Sequence, residues 1–187
     1  DQTTSAPGVS MLFRGVGLAP LAGRASVQFT NAPTFSGEIG ASGTSNVGIL
    51  PWAIVDINES GAFNPSISFA TRNATSSFIR RLDPIEYETN PTVFGGVTQN
   101  VPGNSNLLLT SNPSRGVALN TQRNSLTMEG NAGLALADGV QFSLRSGGIL
   151  VRPGSTSVIT GGVINQVAAT TSALNVWTLG DLTISSA

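Results

Sequence analysis

The sequence predicts an all-β chain wound as a parallel β-helix, a β-solenoid. Three observations predict it. Short apolar runs alternate with polar or small residues through residues 124–165, NSLTMEG NAGLALADG VQFSLRSGG ILVRPG STSVITGG VIN. Glycines end successive runs at Gly130, Gly139, Gly147 with Gly148, Gly154, and Gly161 with Gly162. The steps of roughly seven to nine residues hold a strand of four to six plus a turn. A helix long enough to span these glycines would lose about 1 kcal/mol at each. An antiparallel β-sandwich stays open as an alternative, because Asp138-Gly139 is a two-residue hairpin signal.

Composition narrows the function classes. The 187 residues are 40% apolar and 10% charged, against a usual charged share of about 25%. Ser, Thr, Asn and Gly supply most of the rest, a neutral hydroxyl and amide surface that suits stacked strands. Net charge is −1 and all nine basic residues are Arg. No basic stripe points to nucleic acid. Cys and His are both absent, which excludes disulfides, thiol nucleophiles, His-based triads and the usual zinc ligands. No run reaches the roughly 18 apolar residues of a membrane span. The chain opens on Asp-Gln-Thr-Thr and closes on Leu182-Thr183-Ile184-Ser185-Ser186-Ala187, and it reads as a segment of a longer or processed chain.

In order, residues 1–10 read as a polar lead-in, 11–123 as a less regular β region with long loops, and 124–187 as regular coils, in one continuous domain. Strands are expected at Met11-Leu12-Phe13 and at Ser26-Val27-Gln28-Phe29-Thr30, the second alternating with period two. Residues 47–56 are the most apolar run. Pro51 interrupts it, which calls for an edge strand or a bend. Trp52 reads first as a core anchor among aliphatic neighbours. Asp56, Asn58 and Ser60 match the first half of a calcium loop, with oxygens at alternate positions before Gly61. The twelfth position is Ile67 in place of the bidentate acid, so an ordinary Asp/Asn/Gly turn is the plainer reading.

Strands are expected again at 67–71 and 77–82. The doublet Arg80-Arg81 reads as a solvated loop. The segment DPIEYETNP, residues 83–91, follows. Asp83, Glu86 and Glu88 are the one acidic cluster, and Glu86 and Glu88 would share a strand face. A glycosidase needs two carboxyls about 5–9 Å apart across a cleft. Pro84 and Pro91 frame these acids as a surface excursion, so a solvated loop is the plainer reading. Later strands are expected from Leu107, at 173–179 and at 180–184. Trp177 and Tyr87 join Trp52 as glycan or assembly contacts, with core or end packing the plainer reading for Trp177 as for Trp52.

The segment order Ile49-Leu50-Pro51-Trp52-Ala53, Phe69-Ala70, Ile79-Arg80-Arg81-Leu82, Asn124 to Gly130, Ser146-Gly147-Gly148-Ile149-Leu150-Val151, Gly161-Gly162-Val163-Ile164 and Gly180-Asp181-Leu182-Thr183-Ile184 resembles large bacterial surface proteins with autotransporter-associated β-strand repeats, of the kind common in planctomycetes. The resemblance covers nearly the whole chain. It implies a secreted right-handed parallel β-helix in a long extracellular rod or fibre, with no catalytic motif to carry over. The export barrel of true autotransporters is missing from the pattern.

The expected function is therefore a non-enzymatic structural subunit of an extracellular bacterial fibre, sheath or surface layer. Its partners would be copies of itself or neighbouring segments of the same chain. No cofactor is expected beyond the weak calcium loop. Two alternatives are a glycan-binding adhesin and a carbohydrate-active β-helix. The last would use Asp83, Glu86 and Glu88, with Arg80 and Arg81 facing uronate groups.

Overall fold

The computed structural model describes residues 9–16, 18, 25–31, 33–37, 40–58, 61–72, 78–91, 104–110, 115–167 and 173–185. Ser60 and most of the lead-in lie outside them. The strands in order are β1 (Met11–Arg14), β2 (Leu50–Asp56), β3 (Ser68–Arg72), β4 (Ile79–Arg81), β5 (Glu88–Thr89), β6 (Asn106–Leu109), β7 (Arg115–Val117), β8 (Thr121–Met128), β9 (Gly133–Leu136), β10 (Gln141–Val151), β11 (Thr156–Thr160), β12 (Val163–Gln166), β13 (Asn175–Thr178) and β14 (Asp181–Ser185). One 3-10 turn, Pro84–Glu86, precedes β5. No helix among the described residues is long and apolar enough to cross a membrane.

From β5 onward every strand pair is parallel. Leu107 pairs with Leu126, Leu126 with Ile149, and Ile149 with Val176. A second column runs Leu134, Ile159, Ile184, and a third Thr121, Phe142, Ile164. Each coil has three sides. β8 and β10 both run through a corner, and the register between them shifts between Leu144 and Gly148. β12 continues the first half of β10 and β13 the second half. The fold is a parallel β-solenoid, with its coil stack beginning at β5, ahead of Asn124.

The columns explain the apolar runs. Leu107, Leu109, Leu126, Met128, Ile149 and Val151 point inward to one core with Leu134, Phe142, Leu144 and Ile159. Their strand neighbours Leu108 and Leu150 point outward into a second core, with Ile49, Ile54, Ile67, Phe69 and Tyr87. A strand buried on both faces has no polar position to alternate with, hence Leu107-Leu108-Leu109 and Ile149-Leu150-Val151.

The second core lies under the N-terminal sheet, order β1-β2-β3-β4. β1 joins β2 parallel, while β2–β3 and β3–β4 are antiparallel. The edge strand or bend expected at Pro51 resolves as a bulge. β2 lies between β1 and β3, but β1 pairing begins at Ala53, and the β3 register breaks between Leu50 and Ile54. The missing Pro N–H thus falls where no ladder bond is needed. The expected strand at 26–30 is reduced to an isolated bridge between Gln28 and Phe78.

Corners set the polar sequence. Asn124 Nδ2 donates to Asn106 Oδ1 (2.8 Å) and to Val47 O (3.1 Å). Asn106 Nδ2 donates to the same carbonyl (3.0 Å), and Ser125 Oγ donates to Asn106 Oδ1 (2.8 Å). One coil on, Ser146 Oγ donates to Asn124 O (2.6 Å). This buried ladder ties successive coils together and to the N-terminal block. At another corner Gly161 has φ +66°, and a Cβ there would sit 2.2 Å from Leu136 O.

Gly161→Ala is expected to cost at least 3 kcal/mol, roughly, since strained φ and overpacking add. Gly139→Ala has positive φ but open space, and should cost about 1–2 kcal/mol. Urea unfolding of the two variants checks the difference; equal losses would show that the Leu136 contact does not matter.

Candidate functional site

The acidic cluster does not form a site facing solvent. Glu86 ends the 3-10 turn with no side-chain exposure. Arg80 grips it with two nitrogens, Nη1 to Oε2 and Nη2 to Oε1, both 2.7 Å. The backbone N–H of Gly43 donates to Oε1 (2.7 Å) and that of Asp83 to Oε2 (2.9 Å). Burial alone would raise the Glu86 pKa, but Arg80 and the two amides outweigh it and hold the carboxyl below its ordinary value. Burial likewise opposes the Arg80 charge, and Glu86 and Asp83 more than restore it. Two expectations are corrected here. The Arg80-Arg81 doublet lies on β4, not on a solvated loop. Glu86 is a buried structural acid, not part of a surface excursion. Arg81 is also engaged, donating from Nη1 to Ser66 Oγ (2.9 Å).

Glu88 faces elsewhere. It pairs with Leu107 and so stands in an inward column of the solenoid. Arg123 lies in line with Leu144, also inward, and its Nε sits 3.0 Å from Glu88 Oε2. Ser105 Oγ donates to the same oxygen. Burial pushes the Arg123 guanidinium down, against the pull of Glu88. Glu86 and Glu88 are thus each bound to a different arginine, and Asp83 is exposed beside Arg80 at 3.6 Å. The three acids do not converge on one cleft. Arg123 was not singled out from the sequence. Its signal is its place one coil before Leu144, visible only once the coil length is known.

At the calcium-like turn, both Asp56 oxygens accept from N–H donors. Oδ1 takes the amides of Asn58 (3.0 Å) and Asn64 (3.2 Å), and Oδ2 takes Arg14 Nε (3.0 Å) and lies 2.8 Å from its Nη2. Asn58 Oδ1 accepts from Asn64 Nδ2 (3.2 Å). Asp56 forms an Asx turn and is paired with the Arg14 guanidinium. No group of three acids suited to a metal occurs among the described residues.

The aromatic candidates all pack on internal clusters, Tyr87 buried and Trp52 and Trp177 partly so. Tyr87 is buried in the second core; burial pushes its phenol pKa up, and the Arg152 guanidinium lies 5.7 Å from its ring centroid. Trp177 packs on the same core and donates from Nε1 to Pro51 O (2.9 Å). Trp52 packs against the far side of the N-terminal sheet, with Phe13, Phe35 and Val55. Reading them as glycan contacts is corrected for Tyr87, which has no face to offer.

No protein-family model matches the chain, and no curated protein and no solved structure matches it significantly.

One exposed feature stands out. The last coil, β12-β13-β14, has no strand beyond it among the described residues. Its inward residues continue the core columns, yet Val176 is 48% and Ile184 57% exposed. The residues beneath them, Ile149 and Ile159, are buried. Ile164 and Leu174 complete the rim of an open, mainly apolar hollow of about 250 Å³. Such a surface suits contact with another β-strand edge.

Glu86→Gln is expected to lower stability at pH 7 by about 3 kcal/mol, because Arg80, only 13% exposed, loses its counter-charge. The Glu86 pKa is lowered on folding. Its contribution is therefore full above the ordinary glutamate value and is lost as pH falls through the folded value. Chemical denaturation from pH 7 down to about 3 should show the gap between variant and parent narrowing. A constant gap would refute this assignment of the acid limb.

Proposed function

We propose that the chain is a non-enzymatic structural subunit of an extracellular bacterial fibre, sheath or surface layer, joined to its neighbours through the exposed end of the coil stack. The observation that carries this is the open apolar end. Among the described residues three core columns have their last members at Ile164, Val176 and Ile184, whereas each of the preceding coils is covered by the next. In water the exposed Val176 and Ile184 leave hydrocarbon uncovered, and a further strand layer, from the same chain or from another, would bury it.

Other observations favour the same reading. The carboxylates that a carbohydrate-active enzyme would need are held in separate arginine pairs. The chain carries no Cys to oxidise, and its low charge suits close lateral contact. The resemblance to autotransporter-associated repeat proteins points the same way. In this reading the N-terminal sheet stiffens one side of the rod, and the remaining partners are copies of the chain or neighbouring coil segments.

Antibody raised against the protein should label the outer surface of intact source cells. The purified protein should release no new reducing ends or unsaturated products from acidic polysaccharides. Label confined to the cell interior, or product formation lost in Glu86→Gln, would overturn the proposal.

A further inference from the structure

A second, smaller hollow opens beside β3 and shares no lining residue with the one at the end of the coil stack. It measures about 150 Å³ and is half open to solvent. Phe35, Gly40, Val47, Gly48, Thr71 and Arg72 line it. Hydrogen bonds fasten its walls, so the shape is set before anything enters. Ser36 and Ile49 exchange both backbone bonds (2.8 and 3.2 Å), and the Gly40 N–H donates to Asn46 O (3.0 Å). Thr71 Oγ1 donates to Gly48 O (2.7 Å), which ties this loop to β3. The Gly43 N–H, held by the Glu86 carboxylate, anchors the loop at its tip.

Arg72 brings the chemistry. Arg14, Arg80, Arg123 and Arg152 each pair with an acid. Arg81 and Arg145 donate to Ser66 Oγ and Asn104 Oδ1. The Arg72 side chain has no acid, hydroxyl or amide partner among the described residues. Its guanidinium lies over the Phe35 ring, 5.2 Å from the centroid. A guanidinium stacked in this way keeps its N–H edges open to a planar acceptor.

These features select the ligand. One guanidinium matches one carboxylate, with two parallel N–H···O bonds and one charge neutralised. A phosphate calls for more positive charge, and no second basic residue lines the hollow. Phe35 and Val47 offer hydrocarbon to the rest of the molecule. A space of this size takes a body about as large as benzene. We propose that the hollow is a binding site for a small, partly apolar carboxylic acid, its carboxylate on Arg72 and its carbon skeleton against Phe35 and Val47. The site belongs to the N-terminal sheet and is independent of how the coil stack meets its neighbours.

Amide NMR of the full chain, titrated with sodium propionate at constant ionic strength, tests this at pH 7, where the acid is ionised. Saturable shifts are expected at the Gly40, Gly48 and Arg72 amides, with a Kd of about 1–10 mM for a ligand of so few atoms. Propionamide keeps the shape without the charge and should bind at least tenfold, roughly, more weakly. Glucuronate in a parallel titration distinguishes a sugar acid from an aliphatic acid as the source of the carboxylate, the tighter binder marking the source. Arg72→Gln should abolish the shifts, and Arg145→Gln, outside the hollow, should leave them as in the parent. Arg72 is half-buried, and unchanged signals from the coils check that its variant folds. Absence of saturation up to about 100 mM of either acid, equal affinity for propionamide, or binding that survives Arg72→Gln would overturn the proposal.

Discussion

Everything in this molecule depends on one sheet being buried on both faces. β5, β6, β8, β10 and β13 present Leu107, Leu126 and Ile149 inward and Leu108, Leu150 and Trp177 outward. Each fully buried aliphatic side chain contributes about 1.5–3 kcal/mol, so the outer row stabilises the union of solenoid and N-terminal sheet as the inner row stabilises the coils. The closeness of that union is visible at Gly148. A Cβ there would lie 2.9 Å from the Phe69 ring. Polar links follow the same seam. Arg152 Nε donates to Ile67 O (3.0 Å) while its Nη1 holds Glu129 (2.5 Å).

Charge is arranged to serve this packing. Four acids each lean on a different arginine: Asp56 on Arg14, Glu86 on Arg80, Glu88 on Arg123, Glu129 on Arg152. Each pair contains at least one largely buried group, where an unpaired charge would cost several kcal/mol. The Arg80–Glu86 pair also fixes the 40–47 loop through Gly43. That loop places Val47 O against Asn106 and Asn124. The ion pair, the loop and the corner ladder form one connected support for the first coils.

The C-terminal coils were legible in the sequence because their corners need glycine and their sides obey a period of two. Gly130, Gly139, Gly147, Gly154, Gly161 and Gly162 all have positive φ, which glycine alone adopts without strain. The start of the stack was less legible. β5 is two residues long, and Pro84 beside Glu86 has the composition of an exposed turn. Nothing local says that Arg80, six residues earlier, folds back onto Glu86. Leu107-Leu108-Leu109 announced a strand but not its two-sided burial. Coil length varies too, from Leu107 to Leu126, Ile149 and Val176, so columns could not be aligned by counting. The exposed end was hidden for a related reason: Val176 and Ile184 look like ordinary core residues until the register shows no described strand above them.

The bond from Trp177 to Pro51 joins groups 126 positions apart. It sets an order of events for a chain that emerges N-terminus first. β2 and β3 can pair early, but their inner face gains only Tyr87 and Leu108 before Leu150 of β10 arrives, and Pro51 has no indole to meet until β13 follows. Ile49, Ile54 and Phe69 are therefore sheltered in full only by contacts of long sequence separation, the kind that slows folding. β13 thus fastens the first sheet through Trp177 and lines the apolar hollow through Val176, so one strand couples the two features.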